Sequence, residues 1–405
     1  MEGPTPVSAL IHAATLVVSG VFLIIRCSVL FENSANILFI VSIIGSLTSF
    51  FAASVGLFQN DLKRVIAYST CSQLGYMIFI TGLSHYSISL FHLANHAVFK
   101  ALLFLSAGCI IHGLSDEQDL RKMGGLLKIF PVSYIMILIG SLALVGFPFL
   151  TGFYSKDCIL ELAIAKCSTV GNFCYFLGCS AAFCTSFYSF RLIFLTFVNP
   201  VNSFKSYVEQ AHEAPITMIA PLVVLSTGAL FYGYLTKDLM IGLGSLFFNN
   251  VYTSYYNFCL IDSEFLPSLI KNIPFLFTCV GAIFSFFLIH CFAVNKQAVM
   301  NIKLRPISKS IYIFLNKKWH FDQIVNELIV VKLMNFGYLT TFQSMDKGLI
   351  ERLGPAGFSL ITFNVSFGFT NINSGILYQI ISLLISFIVI FLSFFTLSCF
   401  GLLVT

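Results

Sequence analysis

The chain has 405 residues, of which 58% are hydrophobic and only 10% charged, with mean hydropathy +0.91 and formal net charge +5. A soluble domain carries roughly 25% charged residues, so a soluble monomer is excluded. Apolar runs of about 20 residues recur along almost the whole length, which makes an all-α polytopic membrane protein the expected class, and no nucleic-acid partner is expected.

The start, Met1-Glu2-Gly3-Pro4, has no Arg-rich presequence and no charged-then-apolar signal, as expected of an organelle-encoded or co-translationally inserted protein. In chain order, about nine spans are predicted near residues 4–26, 34–57, 64–83, 86–112, 130–166, 171–198, 214–235, 273–295 and 375–403. The first carries His12 at mid-span, where a satisfied buried histidine and a functional one fit equally well. The third opens on Lys63-Arg64 after Asp61, which snorkelling to the interface explains.

The fourth span places His92, His96 and Lys100 four residues apart, on one helical face. An ionisable group at bilayer depth costs several kcal/mol unless it is paired or wetted, so three on one stripe mark a polar track. The two histidines have chelating spacing. A lysine on the same face repels a divalent metal, and no cysteine or carboxylate lies nearby, so a proton relay is the better reading.

The fifth span is interrupted by Gly146-Phe147-Pro148-Phe149-Leu150-Thr151-Gly152, which breaks the backbone ladder at membrane depth. Such backbone is tolerated where it is buried in protein or lines a wet cavity. Lys156 and Asp157 follow the break directly, with Glu161 one turn on. A broken helix beside a transport path is expected, and a structural salt bridge is the plain alternative. Arg191 reads as an anchor at the end of the sixth span.

Residues 296–374 are too polar to span, yet Phe321, Ile324, Val325, Leu328 and Ile329 recur at helical spacing with Asp322, Asn326 and Glu327 between them. An amphipathic surface helix is predicted there. Gly337, Gly348 and Gly354-Pro355 argue against one unbroken rod.

Alternating the spans gathers Lys63, Arg64, Arg121, Lys122, Lys128, Lys205, Lys296, Lys303, Arg305, Lys309, Lys317 and Lys318 on one side. The other side receives only Arg26, Lys166, Lys237 and Lys271. That bias predicts a start on the negative side and Thr405 on the opposite one. Most of the 12 cysteines stand alone in apolar stretches, and Cys174, Cys179 and Cys184 recur every five residues. No Cys-x-x-Cys pair, no Gly-rich dinucleotide loop and no Walker loop is present, so NADH, flavin, iron–sulfur or metal sites are not expected in this chain.

The segment Gly3–Thr15 resembles the signature of the NADH dehydrogenase subunit 5 family and its antiporter relatives. Asp61–Thr70, His96–Phe104 and Gly152–Asp157 fit as well, and Lys317–Asp322 with Asp346–Arg352 is similar to the mitochondrial members. The resemblance covers essentially the whole chain. It implies an antiporter-like fold with an inverted repeat containing a broken helix, a lateral amphipathic helix and a C-terminal anchor. The implied organisation is residues 1–33, the last helix of a first repeat and its connection; 34–213, the second repeat, broken near 146–152; 214–295, two further transmembrane helices; 296–374, the lateral region; and 375–405, the anchor.

By that resemblance Lys100 matches the family's central membrane lysine, and His92 and His96 its relay histidines. Lys156, with Asp157 beside it, matches the lysine on the second broken helix, assigned to proton exit. His12 matches a histidine linking two half-channels. The implied function is a proton-translocating membrane-arm subunit of respiratory complex I, an NADH:ubiquinone reductase of the mitochondrial inner membrane with its start on the matrix side. NADH, FMN, iron–sulfur clusters and ubiquinone are then expected in other subunits, and no redox cofactor in this one. Expected partners are the other membrane-arm subunits and membrane lipids.

The departure is large, because family members carry about seven further helices before Gly3-Pro4-Thr5-Pro6. A split subunit is therefore expected, with the N-terminal half on a separate polypeptide. A multi-subunit sodium/proton antiporter is the alternative function, and residues 296–374 followed by a terminal span favour complex I. A purely structural clamp is disfavoured by the retained His92, His96, Lys100 and Lys156. A plastid homologue is disfavoured by Phe147–Tyr154, which looks mitochondrial.

Overall fold

At membrane depth the backbone must satisfy its own hydrogen bonds, and an apolar run does so as a helix. The computed structural model describes residues 3–242, 245, 247, 259–294, 305–372 and 375–402. Among them every regular element is helical, apart from one isolated antiparallel bridge between Asp61 and Asp119. The expected fold class therefore holds.

A first unit, Met1–Trp319, holds ten of these helices. They are α1 (Thr5–Arg26), α2 (Ala35–Gly56), α3 (Leu62–Gly82), α4 (Tyr86–Gly113), α5 (Pro131–Val145), α6 (Thr151–Ala165), α7 (Thr169–Val198), α8 (Ile216–Met240), α9 (Ser268–Val294) and α10 (Pro306–Asn316). Among the described residues α1, α2, α4, α7, α8, α9 and the chain's last helix are long and apolar enough to cross a membrane. Two predicted spans depart from that pattern. The third is a 21-residue helix, α3, that is too polar to qualify. The fifth is divided into α5 and α6, 15 residues each, about 22 Å at 1.5 Å per residue and short of the ~30 Å hydrocarbon core.

Small residues let the polar α3 sit tightly in the bundle. Ser42, Ser46 and Ser49 line one buried face of α2. Facing them on α3, a Cβ at Gly75 would lie 2.5 Å from the Ser49 nitrogen, and one at Gly82 2.6 Å from that of Ser42. The two backbones thus touch, as in small-residue packing of membrane helices. The other centre of the unit is α4, which packs on α1, α3, α5, α6 and α8. α1 winds as a π-helix over Ser8–Thr15 and buries Ser8, Ala9, Ala13, Val18, Val21 and Ile25. Its other face, with Leu10, Leu16 and Phe22, is exposed.

The loops gather at two ends, and the predicted alternation of charge follows them. At one end Leu62 N–H donates to Gln118 O (3.0 Å) and Leu120 N–H to Asn60 O (2.8 Å). There the Arg191 guanidinium donates to Leu57 O (2.9 Å), Gln59 O (2.7 Å) and Asn60 Oδ1 (3.2 Å). Asn202 donates to Arg121 O (2.5 Å), while the Glu213 carboxylate accepts from Val132 N (3.4 Å) and Ser133 N (3.2 Å), capping the start of α5. These are the connections that carry Lys63, Arg64, Arg121, Lys122, Lys128 and Lys205. α10 joins the same end through Gln59 Nε2 to Asn316 O (3.3 Å), and Trp319 lies edge-on to Phe51. At the other end Lys166 donates to Leu83 O (2.8 Å) and Tyr86 to Glu32 (3.0 Å). Lys296 and Lys303 lie outside the described residues.

The second unit is His320–Thr405. It comprises α11 (residues 321–353), α12 (Pro355–Ile372) and α13 (Leu377–Leu402). Lys318, Trp319 and His320 have φ of 55°, 56° and 57°, and α11 starts after this left-handed turn. The predicted interruptions at Gly337 and Gly348 do not occur. A glycine weakens a helix by only about 1 kcal/mol, and α11 passes through both as π-helical turns. The break falls at Gly354, where Pro355 bars its predecessor from helical geometry. Within this unit the apolar stripe of Phe321, Ile324, Leu328 and Ile329 is exposed. α12 is a separate helix, and among the described residues no helix within 305–372 is long and apolar enough to cross a membrane, as predicted.

Candidate functional site

Four-residue spacing on the central helix of the bundle turns a sequence stripe into an enclosed one. His92, Asn95, His96 and Lys100 are each at most 1% exposed. His92 Nδ1 lies 2.8 Å from Ser155 Oγ on α6, and Nε2 lies 3.1 Å from Gln73 Oε1 on α3. The His96 ring stands 6.2 Å from that of His92 and edge-on to Phe99 at 5.4 Å. Neither His96 nitrogen has a protein partner, nor has the Asn95 amide, and buried polar atoms of this kind are ordinarily satisfied by water. Lys100 Nζ donates to Ser69 Oγ on α3.

The helix break builds the other half. Gly146 ends α5 with φ +89°, a conformation that favours glycine. Phe147 N–H turns back to Leu142 O (3.0 Å), and Gly146 N–H is shared between the Leu142 and Ala143 carbonyls. Val145 O has no continuing helix to bond. Lys156 Nζ takes that place, donating to Val145 O (3.1 Å) and to Thr185 Oγ1 of α7 (3.1 Å), 5.7 Å from the centre of the Tyr76 ring. The start of α6 is tied to α8 by Thr151 Oγ1 donating to Ala229 O (2.5 Å).

The fold thus brings His92, His96, Lys100 and Lys156 into one buried group walled by α3, α4, α6 and α7. Asp157 is half-buried at its rim, near Gly146, where an added Cβ would lie 3.9 Å from its Oδ1. The salt-bridge alternative for Lys156 and Asp157 is not found. The ion pairs seen elsewhere include Arg64–Asp61, Arg121–Asp119, Lys122–Glu117 and Lys205–Glu209. His12 is not brought into the group, since its side chain lies on the exposed face of α1. Among the described residues no cluster of three or more His, Cys, Asp or Glu has metal-holding geometry.

The sequence reading missed the α3 wall. Ser69, Ser72, Gln73 and Tyr76 are at most 2% exposed, and Ser69, Gln73 and Tyr76 supply the partners of Lys100, His92 and Lys156. The signal was present as neutral polar residues at helical spacing in a span of lowered hydropathy. Chemically the arrangement is two amines and two imidazoles joined to hydroxyls and an amide in a water-poor interior. Such groups exchange protons.

A family model described as NADH dehydrogenase subunit 5 C-terminus matches residues 188–396, and one described as NADH:quinone oxidoreductase/Mrp antiporter, TM, matches residues 1–185. The chain is 53% identical over 395 residues to NADH-ubiquinone oxidoreductase chain 5 of Marchantia polymorpha, covering 97% of this chain. It is 52% identical over 397 residues to the protein of the same name from Arabidopsis thaliana, covering 98%. In both cases it spans 59% of the relative's length. A solved structure of the Mrp complex from Dietzia sp. DQ12-45-1b is similar with TM-score 0.58 at 20% identity, covering 91% of this chain and 38% of that one. That likeness shows the antiporter-like fold.

Proposed function

The chain belongs to the NADH dehydrogenase subunit 5 family, and from that premise we propose that it is a proton-translocating part of the membrane arm of NADH:ubiquinone oxidoreductase. The observation that carries the reading is the enclosed group of Lys100, His96, His92 and Lys156 inside a membrane-crossing unit. Two lysines in one low-dielectric enclosure repel each other when both are charged, so a proton on one opposes a proton on the other. That coupling suits sequential transfer. Lys156 holds its proton at the helix break against Val145 O and Thr185, Lys100 holds one against Ser69, and the histidines lie between. Asp157 at the rim offers an acceptor toward the outside of the group.

The test is Lys100→Ala and Lys156→Ala in the intact complex. Each lowers proton pumping and NADH:quinone turnover in reconstituted vesicles while assembly persists. Normal pumping in both variants makes these residues structural.

The reading extends to placement and partners. The basic end of the bundle faces the mitochondrial matrix, the C-terminus the opposite side, and α11 lies flat on the matrix side against neighbouring subunits. Cross-links from α11 confined to loops of the opposite side contradict this. The domain division given above, the lipid contacts of the exposed faces, and electron chemistry (NADH, FMN, iron–sulfur clusters, ubiquinone) in other subunits belong to the same proposal. The exposed face of α1 with His12 is covered by further helices of the assembly, because a titratable side chain facing lipid is costly.

A further inference from the structure

We propose that Gln73 is a positioning residue that fixes which nitrogen of His92 exchanges protons, making His92 a one-sided proton store opening onto α6. The inference rests on the proton-translocation reading and deepens it.

The argument starts from what each partner can do. An amide oxygen accepts and never donates. Gln73 presents Oε1 to His92 Nε2 at 3.1 Å, so Nε2 carries the hydrogen of the neutral ring. Nδ1 is then a bare lone pair, and it faces Ser155 Oγ at 2.8 Å. The Ser155 hydroxyl has a second acceptor, Gly152 O, but at 3.4 Å, so its hydrogen goes to the nearer imidazole. All three side chains are buried, His92 at 1% exposure and the other two at 0%.

The consequence is directional. Gln73 cannot take a proton onward at neutral pH, so the Nε2 side is closed. His92 loads through Nδ1 alone. As the Nδ1–H bond forms, the Ser155 O–H bond breaks, and Ser155 regains its hydrogen from the Lys156 ammonium by way of water. Lys156 is left as the amine and His92 becomes the imidazolium, so one proton has moved and no atom is left over. Unloading retraces the same path. Gln73 touches neither the lysine nor the moving proton, and it acts only through the ring it holds.

The test uses the assembled complex in vesicles, with histidine carrying a heavy-isotope label. In the unaltered enzyme the tautomer-sensitive ring stretch assigned to His92, by difference against His92→Gln, reports the Nε2–H form. Gln73→Met keeps the length and removes the acceptor. It releases that band into a mixture of tautomers and lowers protons pumped per second by on the order of tenfold, the scale on which losing a histidine's orienting partner acts. Ser155→Ala lowers pumping similarly with the Nε2–H band unchanged, and it decides the matter if Gln73→Met does not assemble. An Nδ1–H band in the unaltered enzyme overturns the proposal. So does full pumping by Gln73→Met, or by Ser155→Ala, while Lys156→Ala pumps poorly. Normal pumping by both Lys100→Ala and Lys156→Ala overturns the underlying reading instead, and this proposal with it.

Discussion

A methyl group at Gly75 tests whether the α3 wall is part of the proton machinery, because it alters no polar atom. A Cβ there would stand 2.5 Å from the Ser49 nitrogen, where ordinary contact begins at 3.4 Å, so α2 and α3 must separate by roughly 0.9 Å. Overpacking of this kind destabilises by about 1–3 kcal/mol. Gln73 lies two residues away on the same helix. Its contact with His92 is already 3.1 Å, near the long end of the usual window of about 2.7–3.2 Å, so a shift of that size disrupts it. Misplacement by about 1 Å costs on the order of 100-fold in well-ordered sites. Gly75→Ala is therefore expected to lower proton pumping by tenfold or more, on the scale of that same misplacement. The measurement is proton uptake into vesicles normalised to assembled complex. Gly82→Ala is the control, since its Cβ would lie 2.6 Å from the Ser42 nitrogen, an equal insult at the end of the helix. It should cost similar stability and less pumping. Full pumping by assembled Gly75→Ala, or equal pumping loss in the two variants, refutes the reasoning.

Arg191→Lys should lower the thermal stability of the complex by about 1–3 kcal/mol, because one ammonium cannot span the Leu57, Gln59 and Asn60 acceptors that the planar guanidinium reaches together. Differential scanning calorimetry checks this, and an unchanged transition counts against the clamp. At the same end the Arg121 hydrogen bond holds the Asp119 carboxyl below its usual range. A carboxyl depressed on folding adds stability above that range and loses it as pH falls through the lowered value. Hydrogen exchange at the Leu62 and Leu120 amides, corrected for intrinsic rates, should therefore accelerate on acidification in the native chain, and Asp119→Asn should abolish that dependence.

The sequence made the helices legible because hydrocarbon leaves an apolar run little alternative, and the predicted boundaries fall within a few residues of α1, α2, α4, α7 and α9. It also made the break at Gly146 legible, since a proline between glycines has a local cause. His92, His96 and Lys100 were found because charge in an apolar run is conspicuous. Ser69, Gln73 and Tyr76 were not, because neutral polar residues carry no such flag and their role depends on what faces them. Their partners lie 19 to 80 positions away in the chain and meet them only in the packed bundle. Gly337 and Gly348 misled in the other direction, since local propensity of about 1 kcal/mol is too weak to stop a long helix. His12 remained open for a different reason: its side chain lies on the exposed face of α1, away from the buried group.

The stitching at the end holding Arg191 has a mechanical consequence. There the backbone bonds between the Asn60 and Gln118 loops, the guanidinium clamp and the Glu213 cap fasten several helices into one collar. The opposite end has ties of its own, Lys166 to Leu83, Tyr86 to Glu32 and Tyr175 to the Ile270 carbonyl. Helices so fastened move together, and a change of charge at mid-depth is shared among them rather than absorbed by one.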